Sequence, residues 1–203
     1  MRKNSLVFVA AAVAVSTVAM TKEAHALGPL SIEVAAKGGY GTAPDSSASI
    51  NPLGATIGGR AGVSILGLYG GIDGEYFFGG SQTTAGVTGH GHADKYGVQL
   101  GYNLGVPFIT VRPQVGLGNF TVTASTDAAT VAGVAFPAFS KDYSSFYVEP
   151  GVVGIISFGM FFVAADANAL LITSYPTGTD MNGNTTTGFK ASFTAHGQLG
   201  VSF

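Results

Sequence analysis

The sequence predicts an all-β chain: an eight-stranded antiparallel up-and-down transmembrane β-barrel. Three observations carry that prediction. Charged residues make up only 10% of the chain against 46% hydrophobic residues, with 31 glycines, where a soluble surface usually carries about 25–35% charged residues. No segment after the N-terminal leader approaches the roughly 20 apolar residues of a membrane helix. And the chain ends "FKASFTAHGQLGVSF", in which Phe189, Ala191, Phe193, Ala195, Gly197, Leu199, Val201 and Phe203 alternate with Lys190, Ser192, Thr194, His196, Gln198, Gly200 and Ser202. Strict alternation is the mark of a strand with one apolar and one polar face.

The N-terminus reads as a leader. Arg2 and Lys3 precede an apolar run from Leu6, and "AHA" at Ala24–His25–Ala26 has the small residues of a cleavage site. Residues 1–26 are therefore expected to be removed, leaving 27–203 as one barrel domain. Removal takes away three basic residues and one acidic one, leaving a net charge of about −4. No basic patch remains to hold phosphates, which argues against nucleic acid as a partner. The absence of Cys excludes disulfides and thiolate metal sites.

Eight segments have the roughly 10 alternating residues that a tilted membrane strand needs. They are 30–41, 55–66, 68–78, 94–104, 108–119, 144–156, 161–171 and 189–203. In 30–41, Leu30, Ile32, Val34, Ala36 and Tyr40 oppose Ser31, Glu33 and Lys37. In 68–78, Leu68, Ile72, Tyr76 and Phe78 oppose Tyr69, Asp73 and Glu75. Pro113 and Pro150 each predict a bulge or an unpaired donor in their strands. Connections near 67, 105 and 158 are short, whereas 42–54, 79–93, 120–143 and 172–187 are long and rich in Gly, Ser, Thr and Asp. Short periplasmic turns alternating with long external loops are the layout of outer-membrane barrels.

Alternation does not by itself say which face is outside, and a soluble lipocalin-like carrier would point its apolar face inward. The polar strand faces carry Glu33, Asp73, Glu75, Glu149 and Asp166 against Lys37, Arg60, Lys95, Arg112 and Lys190. Such balanced charges solvate a whole exterior poorly, but packed inside a narrow barrel they can neutralise one another. The expected polarity is apolar outward.

In this layout the chain resembles the eight-stranded outer-membrane barrels of bacteria, the group of outer-membrane protein X and the barrel domain of outer-membrane protein A. The leader, the strand count, the rhythm of turns and loops, and the terminal "GQLGVSF" carry the resemblance. It implies a bacterial outer-membrane location, contact with outer-membrane lipid, and a C-terminal strand read by the barrel-assembly machinery through Gly197, Leu199, Val201 and Phe203. It also implies a monomer whose surface loops can meet a protein partner.

Each chemical feature has a reading on this frame. The ten strand charges are expected to form a lumen network that plugs the barrel, since eight strands leave just enough interior for side chains; Arg60, Asp73, Glu75, Arg112, Glu149 and Asp166 would form its middle. "HGHAD" places His90, His92 and Asp94 in the second long loop as candidate zinc ligands, with solvated loop residues the simpler reading and no metal expected. His196 on the last strand has no Ser partner at matching spacing with a nearby acid, so neither a catalytic triad nor any cofactor is expected. Glycine clusters within strands relieve interior crowding. Aromatic girdles are expected at Tyr102, Phe108, Phe158, Phe161 and Phe203 on one side and Tyr40, Tyr76, Phe78, Tyr96 and Phe189 on the other. "VAGVAFPAF", Val131–Phe139, is either a contact patch or an extension of the flanking strands packed on itself. The expected role is structural or surface-interacting. The alternatives are a narrow channel for small solutes, a lipid-modifying enzyme and the soluble carrier.

Overall fold

The computed structural model describes residues 30–44, 50–106, 109–131, 133–179 and 185–203. The expected leader and Phe108 lie outside them. Eight strands form a ring: β1 Leu30–Gly41, β2 Ala55–Ile65, β3 Leu68–Phe77, β4 Val87–Tyr102, β5 Ile109–Thr126, β6 Phe139–Phe158, β7 Phe161–Thr179 and β8 Thr185–Ser202. Each pairs antiparallel with the next, and β1 pairs with β8 from Glu33↔Ser202 to Gly41↔Thr194. Closing the ring leaves no edge in the membrane-spanning part, the condition a sheet must meet in lipid.

All eight segments are strands, but five are longer than their alternation indicated. β1, β2 and β3 have 12, 11 and 10 residues, about what a crossing requires. β4 to β8 have 16, 18, 20, 19 and 18. The described residues of the stretches 79–93, 120–143 and 172–187 are therefore largely strand, not loop. Residues of these extensions pair in register, as in His92↔Thr123 and Asp142↔Thr123, so polar composition marks strand that stands clear of lipid. Val131–Phe139 does not continue the flanking strands packed on itself, since Val134 and Phe139 are exposed. Ala129–Val131 and Val134–Phe136 make a small hairpin, and Phe139 begins β6.

The turns obey local stereochemistry. Leu66 and Gly67 both have positive φ, 51° and 87°, the combination of a tight hairpin turn whose twist matches the strands it joins. The register of β5 with β6 runs unbroken through Val115↔Pro150 and Pro113↔Val152, so neither proline makes a bulge there. The missing donors fall on the other edges. The β6–β7 pairing skips Glu149 and Pro150, and Pro113 lies between Gly101↔Gln114 and Leu104↔Val111. Register shifts occur instead beside Tyr175 and Pro176 of β7.

Polarity is apolar outward. Ile57, Ile72, Leu100, Phe193 and Leu199 are exposed, while Lys95, Gln99, Arg112, Glu149 and Ser192 are buried. A soluble carrier would have the reverse. The exposed ring includes Tyr102, Phe158 and Phe161 near the short turns and Tyr40, Tyr76, Phe78, Tyr96 and Phe189 toward the other end. Phe203 closes the last strand by exchanging backbone hydrogen bonds with Ile32, each 2.9 Å.

Candidate functional site

The lumen is filled in three layers. The first lies toward the short turns. Glu33 of β1 accepts from two arginines: Arg60 Nη1 reaches Oε2 at 2.9 Å and Arg112 Nη2 reaches Oε1 at 2.5 Å. Arg112 Nε also donates to Asn103 Oδ1 at 2.6 Å. Its guanidinium lies 3.8 Å from the centre of the Tyr69 ring, a desolvated cation–π contact. Tyr69 can lie flat because Gly62 and Gly71 are beneath it. A Cβ at either position would come within 2.5 Å of the ring or its hydroxyl.

The second layer holds Lys37, Asp73, Glu75, Lys95, Glu149, Asp166 and His196. Lys95 is the hub, at 2.5 Å from Glu149, 3.0 Å from Glu75 and 3.6 Å from Asp73. Lys37 contacts Glu75 and lies 3.2 Å from Asp73. His196 Nδ1 is 2.6 Å from Asp166, which also accepts from Gln198 and from Asn168. His196 Nε2 is 3.2 Å from Glu75, close enough for an ion pair but not aligned for a hydrogen bond. Tyr147 crosses this layer over Gly97 and Gly118, as Tyr69 does below. Gln198 links the two layers, accepting from Arg60 Nε at 2.7 Å.

The third layer is apolar. Phe77, Ala93, Phe120, Val122, Leu170, Ile172 and Tyr175 pack together with Leu53, which reaches in from the 42–54 connection. Leu53 is fully buried. Asn51 sets its position: its side-chain oxygen accepts the Leu53 N–H at 3.0 Å, and its amide donates to Gly41 O at 3.0 Å. Gly41 leaves the seat open, since a Cβ there would stand 2.9 Å from that of Leu53. Above this layer a cavity of about 280 Å³ opens outward between Ile50, Pro52, Tyr143 and Tyr175.

The structure thus places nine of the ten expected lumen charges in one bundle. Lys190 is the correction. It shares the inward parity but stands opposite Ile172, at the height of the apolar layer, and is half-buried. Protonated, His196 takes its place and brings the bundle to five positive against five negative groups. Arg60 and Arg112 do not form the middle of the network either. Arg60 is the register partner of Asp73, yet its long arm turns toward the short-turn end to reach Glu33. His90, His92 and Asp94 lie on a strand, and they do not converge. His90 bonds Asp127 at 3.0 Å, and His92 stacks on Tyr76 with ring centres 5.6 Å apart. Among the described residues no group of three or more potential metal ligands gathers.

The eight segments as bounded by their alternation leave the apolar layer unmarked. Its signal was present: Phe77 continues the parity of Asp73 and Glu75, Phe120 that of Arg112, and Leu170 that of Asp166.

An apolar ring of strands around a charged, packed lumen defines a transmembrane β-barrel. Neither a family model nor a curated protein matches the sequence. Solved structures similar to it include a major outer membrane protein from Thermus thermophilus, at TM-score 0.55 and 11% identity over 86% of this chain and 99% of that one. The N-terminal β-barrel domain of Pseudomonas aeruginosa OprF gives 0.46 and 15%, over 85% and 97%. Ail, the attachment invasion locus protein of Yersinia pestis, gives 0.44 and 12%, over 86% and 97%. The likeness to the Thermus protein is one of fold, and the fold here is that of an outer-membrane β-barrel.

Proposed function

We propose that this chain is a closed barrel of a bacterial outer membrane, with a structural or surface-interaction role and no enzymatic one. The observation that carries the reading is the apolar layer of Leu53, Phe77, Phe120, Leu170 and Ile172 across the lumen above the ion pairs. A solute path would have to cross both a mutually neutralised charge bundle and a dry seal. Extended strands β4 to β8 then serve as a wall raised beyond the lipid, and a surface protein partner would meet that wall and its connections. Outer-membrane lipid covers the apolar exterior. Gly197, Leu199, Val201 and Phe203 serve as the address for the assembly machinery, and the barrel works as a monomer without a cofactor. Among the described residues both ring nitrogens of His196 face carboxylates, Asp166 and Glu75, in place of a hydroxyl, which favours a structural role over hydrolysis.

The test has two parts. Membrane fractionation with and without boiling should give a heat-shifted band in the outer-membrane fraction. Purified folded protein in planar bilayers should then show no steady unitary conductance. A stable conductance altered by Glu149→Gln would replace this reading with a channel.

A further inference from the structure

We propose that the short-turn end of the lumen is a binding site for a small inorganic anion, of the size of chloride or phosphate. A cavity of about 170 Å³ opens there, lined by Ser31, Asn103, Thr110, Ser157 and Ser202, with Arg112 and Glu33 at its inner end. It is larger than either ion and leaves room for part of a hydration shell.

The charge and hydrogen-bond inventory of that end calls for an acceptor. Two guanidinium groups share one carboxylate, so the layer carries one net positive charge. Glu33 is already committed on both oxygens, Oε1 to Arg112 and Ser64 and Oε2 to Arg60. Arg112, which lines the cavity, is fully buried, yet its Nη1 has no partner among the described residues. A buried, charged donor left without an acceptor is costly. An arginine cannot relieve that cost by losing its proton. The hydroxyls of Ser31, Thr110 and Ser202 can each turn a donor toward an ion seated on Arg112. The face of Tyr69 beneath Arg112 fixes the guanidinium plane, so the site is preorganised. The one opposing group is Glu33, which lines the same cavity and keeps affinity modest.

That opposition supplies the test. Folded full-length protein in detergent, in a buffer whose only added anion is bulky gluconate, is titrated with sodium chloride. Binding is read from chlorine-35 NMR line width, and inorganic phosphate serves as competitor. We expect saturable broadening that phosphate reverses. Arg112→Gln should remove it, and Ser31→Ala with Ser202→Ala should weaken it several-fold while leaving the barrel folded by heat-shifted migration. Glu33→Gln should strengthen it by about tenfold or more, since a like charge a few ångströms from the ion disappears. Unsaturable broadening overturns the site, and so does saturable broadening indifferent to Glu33→Gln and to the serine pair, because the ion would then sit elsewhere. Those two variants decide the matter even if Arg112→Gln fails to fold.

Discussion

Two layers of one lumen, a few rungs apart, solve the same packing problem in opposite ways. Around Lys95, charged side chains fill the space and neutralise one another; around Phe120, apolar side chains fill it and exclude water. The charged bundle is held by strands alone, all ten of its groups lying on the ring. The apolar layer needs Leu53 from outside the ring. The difference lies in wall height. Where all eight strands are present, opposing walls bring each charge at least one opposite charge. Above the ends of β1, β2 and β3 the ring is incomplete, and a charge there would face water on one side. A hydrophobic closure anchored through Asn51 and Gly41 needs no such partners.

The comparison breaks most sharply at the hub. Lys95→Met leaves Glu149, Glu75 and Asp73 facing one another without their shared cation, and removing one member of a buried ion group typically costs about 3–5 kcal/mol. Urea unfolding followed by heat-shifted gel migration should show that loss, and adding Glu149→Gln should recover part of it. In the apolar layer the loss has another cause. Phe77→Ala removes a fully buried ring and leaves a cavity, with about 3–5 kcal/mol expected if the surroundings do not collapse. No second substitution of a polar group should restore it, which separates packing from charge.

A smaller effect sharpens the role of the glycine seats. Gly62→Val pushes a branched side chain into the Tyr69 ring and should cost about 1–3 kcal/mol by overpacking. Changing Tyr69 to Ala in that background opens the space again, so the double variant should lose less than the two single losses combined. Additive losses, measured by the same unfolding assay, would mean that Tyr69 does not rest on the glycines.

How far the sequence led depended on which property of a residue carried the information. Parity is legible: alternation puts Glu33, Lys37, Asp73 and Glu149 on one face, the balance of charges turns that face inward, and all four are buried. So is ring closure, from eight segments and an alternating terminal strand. Height along the barrel axis is not legible, because the stagger of neighbouring strands and the lengths of β4 to β8 are set by long-range pairing. That is why parity groups Lys190 with charges that stand lower on the barrel; Arg60 and Arg112 read as the middle because the sequence does not tell which way their long arms turn. Polar strand above the membrane reads as loop, since Ser, Thr and Gly are used for solvation there as they are in turns. The apolar seal was hidden by the same fault: Phe120 and Ile172 fell in segments assigned to connections.

The finest discrimination contrasts His196 with Lys190, which stand on the same strand and the same face. Alternation puts both on the polar face; His196 has carboxylates at both ring nitrogens, 2.6 and 3.2 Å away. His196→Ala should leave Asp166 and Glu75 short of a partner and cost about 2–3 kcal/mol, the order expected for hydrogen bonds to charged groups. Lys190 is half-buried near the open end, where water screens a charge, and Lys190→Ala should cost about 1 kcal/mol or less. Unfolding midpoints measured side by side in one detergent decide between height and parity. Equal losses would mean that parity alone assigns a residue to the bundle. The expected inequality makes distance from the short turns the second coordinate that every lumen residue needs.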